Sequence, residues 1–384
     1  MSLVALTEWS LDSSVRYLNH GSFGAVPRQV TLAQLAIREQ MEHNPNLFFR
    51  SQLPSLLRQA RARCAAELGT EESHLAFVPN ASQGVIAAVA SVVRHQMQIA
   101  TMHTNYGGVI LGLRELAHRC GATVREIPAR PPHEATPELC VAEVVDGLGD
   151  ADVLVIDHIV ATSAQLNPVE AIAAAVRRAR PECFIIVDAA HVVGQLVPAI
   201  PRGIDAWVSN FHKWVAAPRP SAALVAVSPR AQQSLAPLAG SWNAERGFPL
   251  SFDTQGTADL SAYLATPAAF DFLAQWSWND RTRHCSDTVS AAARMLAEEW
   301  HVDLPTAPAL CAPNLRVVPL PFEGSFNSAQ EDALIGLART RLNAEIAITS
   351  PGNITGVRLS AFLYNDLADY ECLRELPALA HELA

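Results

Sequence analysis

Lysine is all but missing from this chain. Of the 28 basic side chains in 384 residues, Lys213 alone is lysine and the rest are arginine. Paired cysteines are missing too. The seven cysteines (64, 120, 140, 183, 285, 311 and 372) are odd in number and irregularly spaced, with no CxxC pair. A disulfide framework is therefore not expected, and reduced thiols are. No His/Cys/Asp group has metal-ligand spacing, so no metal is expected. No apolar run reaches the roughly 18 residues that suggest a membrane-spanning helix. The opening MSLVALTEWSLDSS lacks a basic stretch followed by an apolar block, so no signal peptide is expected, and a cytoplasmic location is. Positive charge is in deficit: the net charge of −10 would repel polyphosphate, which argues against nucleic acid and anionic membranes as partners.

What is present suits a large folded unit. Apolar residues make up 49% and charged ones 17%, enough for a core and too few charges for disorder. Short apolar runs alternate with helical patterns. HLAFV (74–78) precedes a helix from Ala81, and IATMH (99–103) precedes one from Gly107. ADVLVID (151–157), the helical PVEAIAAAVRRAR, CFIIVD (183–188), DAWVSN (205–210) and AALVAV (222–227) follow. This rhythm predicts an α/β fold, a mostly parallel sheet covered on both faces, with ligands beyond the C-terminal strand ends. Asp157, Asp188 and Asn210 each fall at such an end. After residue 265 the pattern changes to long helices (266–301, 328–341) flanking NLRVVPL, AEIAIT and GVRLSAF, with a last helix from Leu367. This predicts a smaller α+β domain.

A free lysine amine is only about 0.04% neutral at pH 7. Burial or a neighbouring cation raises that fraction and makes the amine a nucleophile. Arginine stays protonated and cannot replace it in a covalent bond to a carbonyl. Composition alone does not separate this reading from chance survival of one lysine; the neighbours do. Asp188 stands at a strand end 25 residues before Lys213, with His191 between them. That arrangement suits pyridoxal phosphate (PLP): the lysine takes the aldehyde, and the aspartate keeps the pyridine nitrogen protonated as an electron sink.

VDAAHVVG followed by SNFHKWVAAPRPSAAL resembles the class V aminotransferase family of fold-type I PLP enzymes. Within it, the chain is most similar to the isopenicillin N epimerase-like branch. YLNHGSFGAVP, NPNLFFRSQLP, PNASQG, DHIVATSA, FDTQGTADLSAYLATPAAFDFL and GVRLSAFLYN follow in order. The resemblance implies a large PLP-binding domain (21–265) around a seven-stranded sheet, a small C-terminal domain (266–384) and an N-terminal arm (1–20) joining the latter. It also implies a homodimer with shared sites. Lys213 would carry the cofactor and move the Cα proton, Asp188 would pair with the ring nitrogen, and His191 with the ring's phenolic oxygen. Ala81 and Ser82 open a helix whose N–H groups favour phosphate, helped by Asn210 and His212. Gly256 and Thr257 would bind phosphate from the other subunit. Tyr106 would stack on the ring, and His158 either approaches the cofactor or is an interior histidine. Arg358 would grip the substrate carboxylate. Arg50 and the Asn19-His20 turn would line the substrate mouth.

The sequence also departs from that pattern. Ala161 stands where a polar side chain is usual, and Pro218-Arg219-Pro220 replaces the usual Pro-Lys-Gly. No cysteine lies in the segment before Arg358, where desulfurases carry one, so persulfide chemistry is not expected. The substrate is expected to be a small amino-acid molecule. The favoured reaction is C–S β-elimination of a cysteine S-conjugate in secondary metabolism, such as antibiotic biosynthesis. Epimerisation, decarboxylation-coupled oxidative deamination and transamination stand as alternatives. A non-catalytic relic is disfavoured by the acidic charge and the lack of a DNA-binding arm.

Overall fold

The computed structural model describes residues 2–197, 199–322, 324–352 and 354–383. Met1 and Ala384, the outer ends of the expected arm and small domain, lie outside the described residues. A short strand, β1 (Arg16–Tyr17), comes first. The large sheet then takes β2 (Leu75–Val78), β3 (Gln98–Met102), β4 (Thr123–Ile127), β5 (Val153–Asp157), β6 (Phe184–Asp188), β7 (Ala206–Asn210) and β8 (Ala222–Ala226). Their order is β2-β8-β7-β6-β5-β3-β4. Only β8 runs against its neighbours, so the sheet is mostly parallel, as the βα rhythm predicts.

The central strands are buried at every position because helices cover both faces. Alternate residues then feed two separate cores. Leu154, Ile156, Ile185, Val187 and Trp207 pack on one side. Val153, Val155, Ile186, Ala206 and Val208 pack on the other, against the helix Ala81–Val92. This alternation leaves the last residue of each strand, rather than its flank, to meet solvent or a ligand.

β4 has no counterpart in the apolar runs read from the sequence. It lies at the sheet edge, pairs only with β3, and exposes Thr123 and Arg125. Two of its five side chains face water, so no continuous apolar run marks it. The long helical pattern after residue 265 is two helices, Ser261–Leu273 and Trp278–Trp300, the second capped by Ser277. The last helix begins as a 3-10 turn, Leu367–Glu375, and becomes α-helical only over Leu376–His381.

Beyond the large sheet, β9 (Leu315–Pro319), β10 (Ala344–Glu345), β11 (Ala347–Thr349) and β12 (Gly356–Ser360) complete the strands. β11-β12-β9 form an antiparallel sheet, and β10 pairs with β1. The pairing of β1 with β10 and the bond from Val4 N–H to Leu363 O join the N-terminal segment to this C-terminal region.

Two glycines hold the turn after β7 close to its surroundings. Gly24 has φ +68°, and a Cβ there would lie 2.3 Å from His212 O. Gly194 has φ +92°, and a Cβ would lie 2.5 Å from Trp214 O. Both combine a left-handed backbone with a close approach that any side chain would block. Arg219 adds a third fastening: its Nη1 donates to Phe23 O (2.9 Å) and Gly24 O (2.5 Å). The Pro-Arg-Pro departure thus supplies a tie to the Phe23–Gly24 turn.

Candidate active site

The strand ends converge on a cavity of about 450 Å3. Its wall includes Asp157 from the end of β5, Asp188 from β6 and Asn210 from β7, with Lys213 three residues on. Asn80, Ser82, Tyr106, His191 and His212 also line it.

Lys213 is half-buried at the cavity wall, and its Nζ lies 3.0 Å from His191 Nε2. On the far side of that ring, the Trp214 indole N–H donates to Nδ1 at 3.3 Å. An indole nitrogen can only donate, so Nδ1 accepts and the neutral ring carries its proton on Nε2. That proton points at the lysine amine, which accepts it only when neutral. Burial, then the Arg358 cation, push the amine down to about 7, against the pull of Asp188 and Asp157. About half the amine is then neutral at pH 7, a gain of roughly a thousandfold over a free lysine. Burial holds His191 well below its ordinary value, with the Lys213 and Arg358 cations adding to it, so the ring stays neutral.

Asp157 and Asp188 are register partners on adjacent parallel strands, 2% and 3% exposed. Asp188 Oδ1 accepts from Ala190 N–H at 3.0 Å, and burial raises its carboxyl to about 6. Asp157 Oδ2 accepts from Tyr106 N–H at 3.0 Å. Burial and then Asp188 hold the Asp157 carboxyl well above the ordinary range. Tyr106 is half exposed at the cavity wall, just before the helix Gly107–Cys120.

At the helix Ala81–Val92, the first N–H groups are partly engaged. Asn210 Oδ1 accepts from Ala81 N–H at 2.8 Å, and Asn80 Oδ1 from Gln83 N–H at 2.9 Å. This corrects the expectation that Ala81 offers a free donor; Ser82 keeps one. His212 Nδ1 donates to Ser221 O at 2.8 Å, which leaves Nε2 for the cavity. Burial lowers this ring to about 4.

Arg358 lies buried just behind the wall. Its Nη1 donates to Ala161 O (2.7 Å) and its Nη2 to Ser22 Oγ (2.8 Å), both residues lining the cavity. Its Nε has no partner among the described residues.

Five expected residues are elsewhere. His20 is not at a mouth. It is buried and stacked on Phe362 at 3.6 Å, and its Nε2 donates to Lys213 O (3.0 Å) while Tyr364 Oη donates to its Nδ1 (2.9 Å). Burial pushes it down to about 3, so it is a neutral prop under the lysine turn. His158, one residue past the end of β5, turns to a different cavity lined by Pro137, Leu166 and Val169. Arg50 is exposed on the turn Phe48–Gln52 and does not line the lysine cavity. Gly256 and Thr257 sit on an exposed loop, also away from this chain's own cavity.

Sequence reading gave no role to Asp157, Ser22 or Trp214. Asp157 was visible as a strand-end carboxylate; the contacts of the other two depend on the tertiary fold. None of the seven cysteines lines the lysine cavity.

A buried amine near neutrality, carboxylates at the strand ends, and donors at a helix start fit a phosphorylated aldehyde with a basic ring nitrogen. The comparisons agree. The model of the family "Aminotransferase class-V" matches residues 26–365. A putative L-cysteine desulfhydrase 1 from Oryza sativa subsp. japonica is 29% identical, covering 95% of this chain and 83% of its own. Isopenicillin N epimerase from Streptomyces clavuligerus is 26% identical, covering 99% of this chain and 100% of its own. The solved complex of the cystine C–S lyase C-DES with its reaction product cysteine persulfide superposes with a TM-score of 0.80. It is 19% identical and covers 96% of this chain and 98% of that one, a likeness of fold.

Proposed function

Because this chain belongs to the class-V aminotransferase family, whose members are PLP-dependent enzymes, we propose that it catalyses C–S β-elimination from a cysteine S-conjugate. Secondary metabolism is the proposed setting. One observation carries the reading: the single lysine is half-buried in the cavity wall, its amine near neutrality and bonded to a histidine whose tautomer favours its neutral form. When bound, the cofactor supplies an aldehyde for that amine and an electron-accepting ring.

The chain's residues then have distinct tasks. Asp188 would hold the ring nitrogen and His191 the phenolic oxygen. Ser82, Asn210 and His212 would hold the phosphate. Tyr106, on the wall, would pack against the ring and fix its plane. Arg358 would bind the substrate α-carboxylate, its cation already directed to Ser22 and Ala161 on the wall. Lys213 would take the Cα proton, after which the thiolate leaves from Cβ. A neutral amine near pH 7 can accept that proton without a second base. Elimination needs no further acid. The family includes epimerases as well as C–S lyases among its relatives here. Epimerisation would need a proton delivered from the opposite face, and the Tyr106 phenol on the cavity wall is the group that favours this second reading.

The assay mixes PLP-loaded protein with cysteine S-conjugates in deuterated water. Pyruvate and free thiol in equal amounts are expected. Cα–deuterium exchange with inversion and no thiol would overturn elimination in favour of epimerisation.

A further inference from the structure

Asp157 is fastened more firmly than a strand end requires. Its N–H donates to Asn105 Oδ1 at 3.2 Å, and its carbonyl accepts from Asn167 Nδ2 at 2.8 Å. Asn105 is anchored in turn on Thr101 Oγ1 and Val155 O. Two asparagines from different loops thus set where this carboxyl points. Of its two oxygens, Oδ2 has the Tyr106 N–H, while Oδ1 is buried and has no donor among the described residues.

A buried carboxylate oxygen without a donor is destabilised, and a protonated one needs only an acceptor. The surroundings decide which form holds. Across the strand gap of about 4.8 Å stands Asp188, on the same face. The remaining charged or titratable groups near Asp157 among the described residues are Lys213, His191 beyond it, His212 and Tyr106 on the cavity wall, Arg358 behind it, and His158, which faces away. The His191 tautomer favours a neutral Lys213. The cavity floor would then hold two bare carboxylates with no cation in contact. One retained proton removes that repulsion, as in any close carboxyl pair.

We propose that Asp157 keeps a proton on Oδ1 at neutral pH and donates it to the Asp188 carboxylate, and so is the positioning residue that keeps Asp188 ionised for the cofactor's ring nitrogen. A hydrogen bond to the charged form stabilises it, which offsets the burial that otherwise favours a neutral Asp188. The proposal rests on the reading of Asp188 given above. The raised proton affinity of Asp157 is consistent with it.

The test uses full-length protein labelled with 13C-aspartate and loaded with PLP, and has two arms. In infrared difference spectra at neutral pH, the parent should show a protonated carboxyl stretch that disappears in Asp157→Asn. Absence of that band in the parent, or its survival in the variant, would overturn the proposal. In the second arm, the cofactor's visible band is titrated with pH without substrate. Asp157→Asn offers a neutral N–H donor and should leave the midpoint near the parent's. Asp157→Ala should move it and weaken cofactor retention about tenfold, the equivalent of one pKa unit at Asp188. An asparagine variant that shifts as far as the alanine one would also overturn it. A parent that forms no visible band would count against the reading of the cofactor site itself, and infrared spectra of the unloaded parent and Asp157→Asn would still decide the proton.

Discussion

At Lys213 three features favour the neutral amine. Its amine is shut away from water, it lies in the field of the Arg358 cation, and its histidine partner carries the proton between them, while Asp188 and Asp157 pull the other way. Removing the cation should weaken the effect. Arg358 lowers the lysine's proton affinity, so Arg358→Met should raise it. Capture of PLP by substrate-free protein should then rise with pH about a midpoint near 7 in the parent and at a higher pH in the variant. A stopped-flow titration of band formation measures this; an unchanged or lower midpoint would show that burial alone sets the amine. His20 has the opposite character. It is fully buried with both ring nitrogens satisfied, and it supports the backbone of Lys213.

The elements that position these residues were largely legible. The runs VLVID and FIIVD are apolar at every position until a terminal aspartate, because buried parallel strands must be apolar and their ends need not be. The start of the helix at Ala81 follows from Asn80, whose side chain caps it. Less legible was anything that depends on which side of an element a residue faces. His158 follows Asp157 directly, yet the two face different cavities. His20 reads as a polar turn residue, but the turn is folded under the lysine loop, where Phe362 and Tyr364 enclose it. β4 was missed because an edge strand shows alternating rather than continuous apolarity. By resemblance Asn210 was expected to help hold phosphate. That its Oδ1 ties β7 to the helix Ala81–Val92 required the packed structure.

On the scale of the whole molecule, no helix among the described residues is long and apolar enough to cross a membrane. The loop carrying Gly256 and Thr257 is exposed and away from the chain's own cavity, and nearby Trp242 is 94% exposed, its N–H donating to Thr254 O. These features support the proposal that the loop serves a second copy in a homodimer. If so, mixing inactive Lys213→Ala chains with inactive chains carrying Gly256→Val and Thr257→Ala should restore about a quarter of parental activity. Half the dimers are then mixed, and each has one intact site. No recovery after subunit exchange would place each site within one chain.

The central claim is that the cofactor is held by the one lysine this chain has. Borohydride reduction of the PLP-loaded protein, followed by peptide mass spectrometry, tests it most directly. A pyridoxyl group on Lys213, absent from the Lys213→Arg variant, is the predicted result. No label on the peptide containing Lys213, in protein that nevertheless turns over substrate, would contradict it.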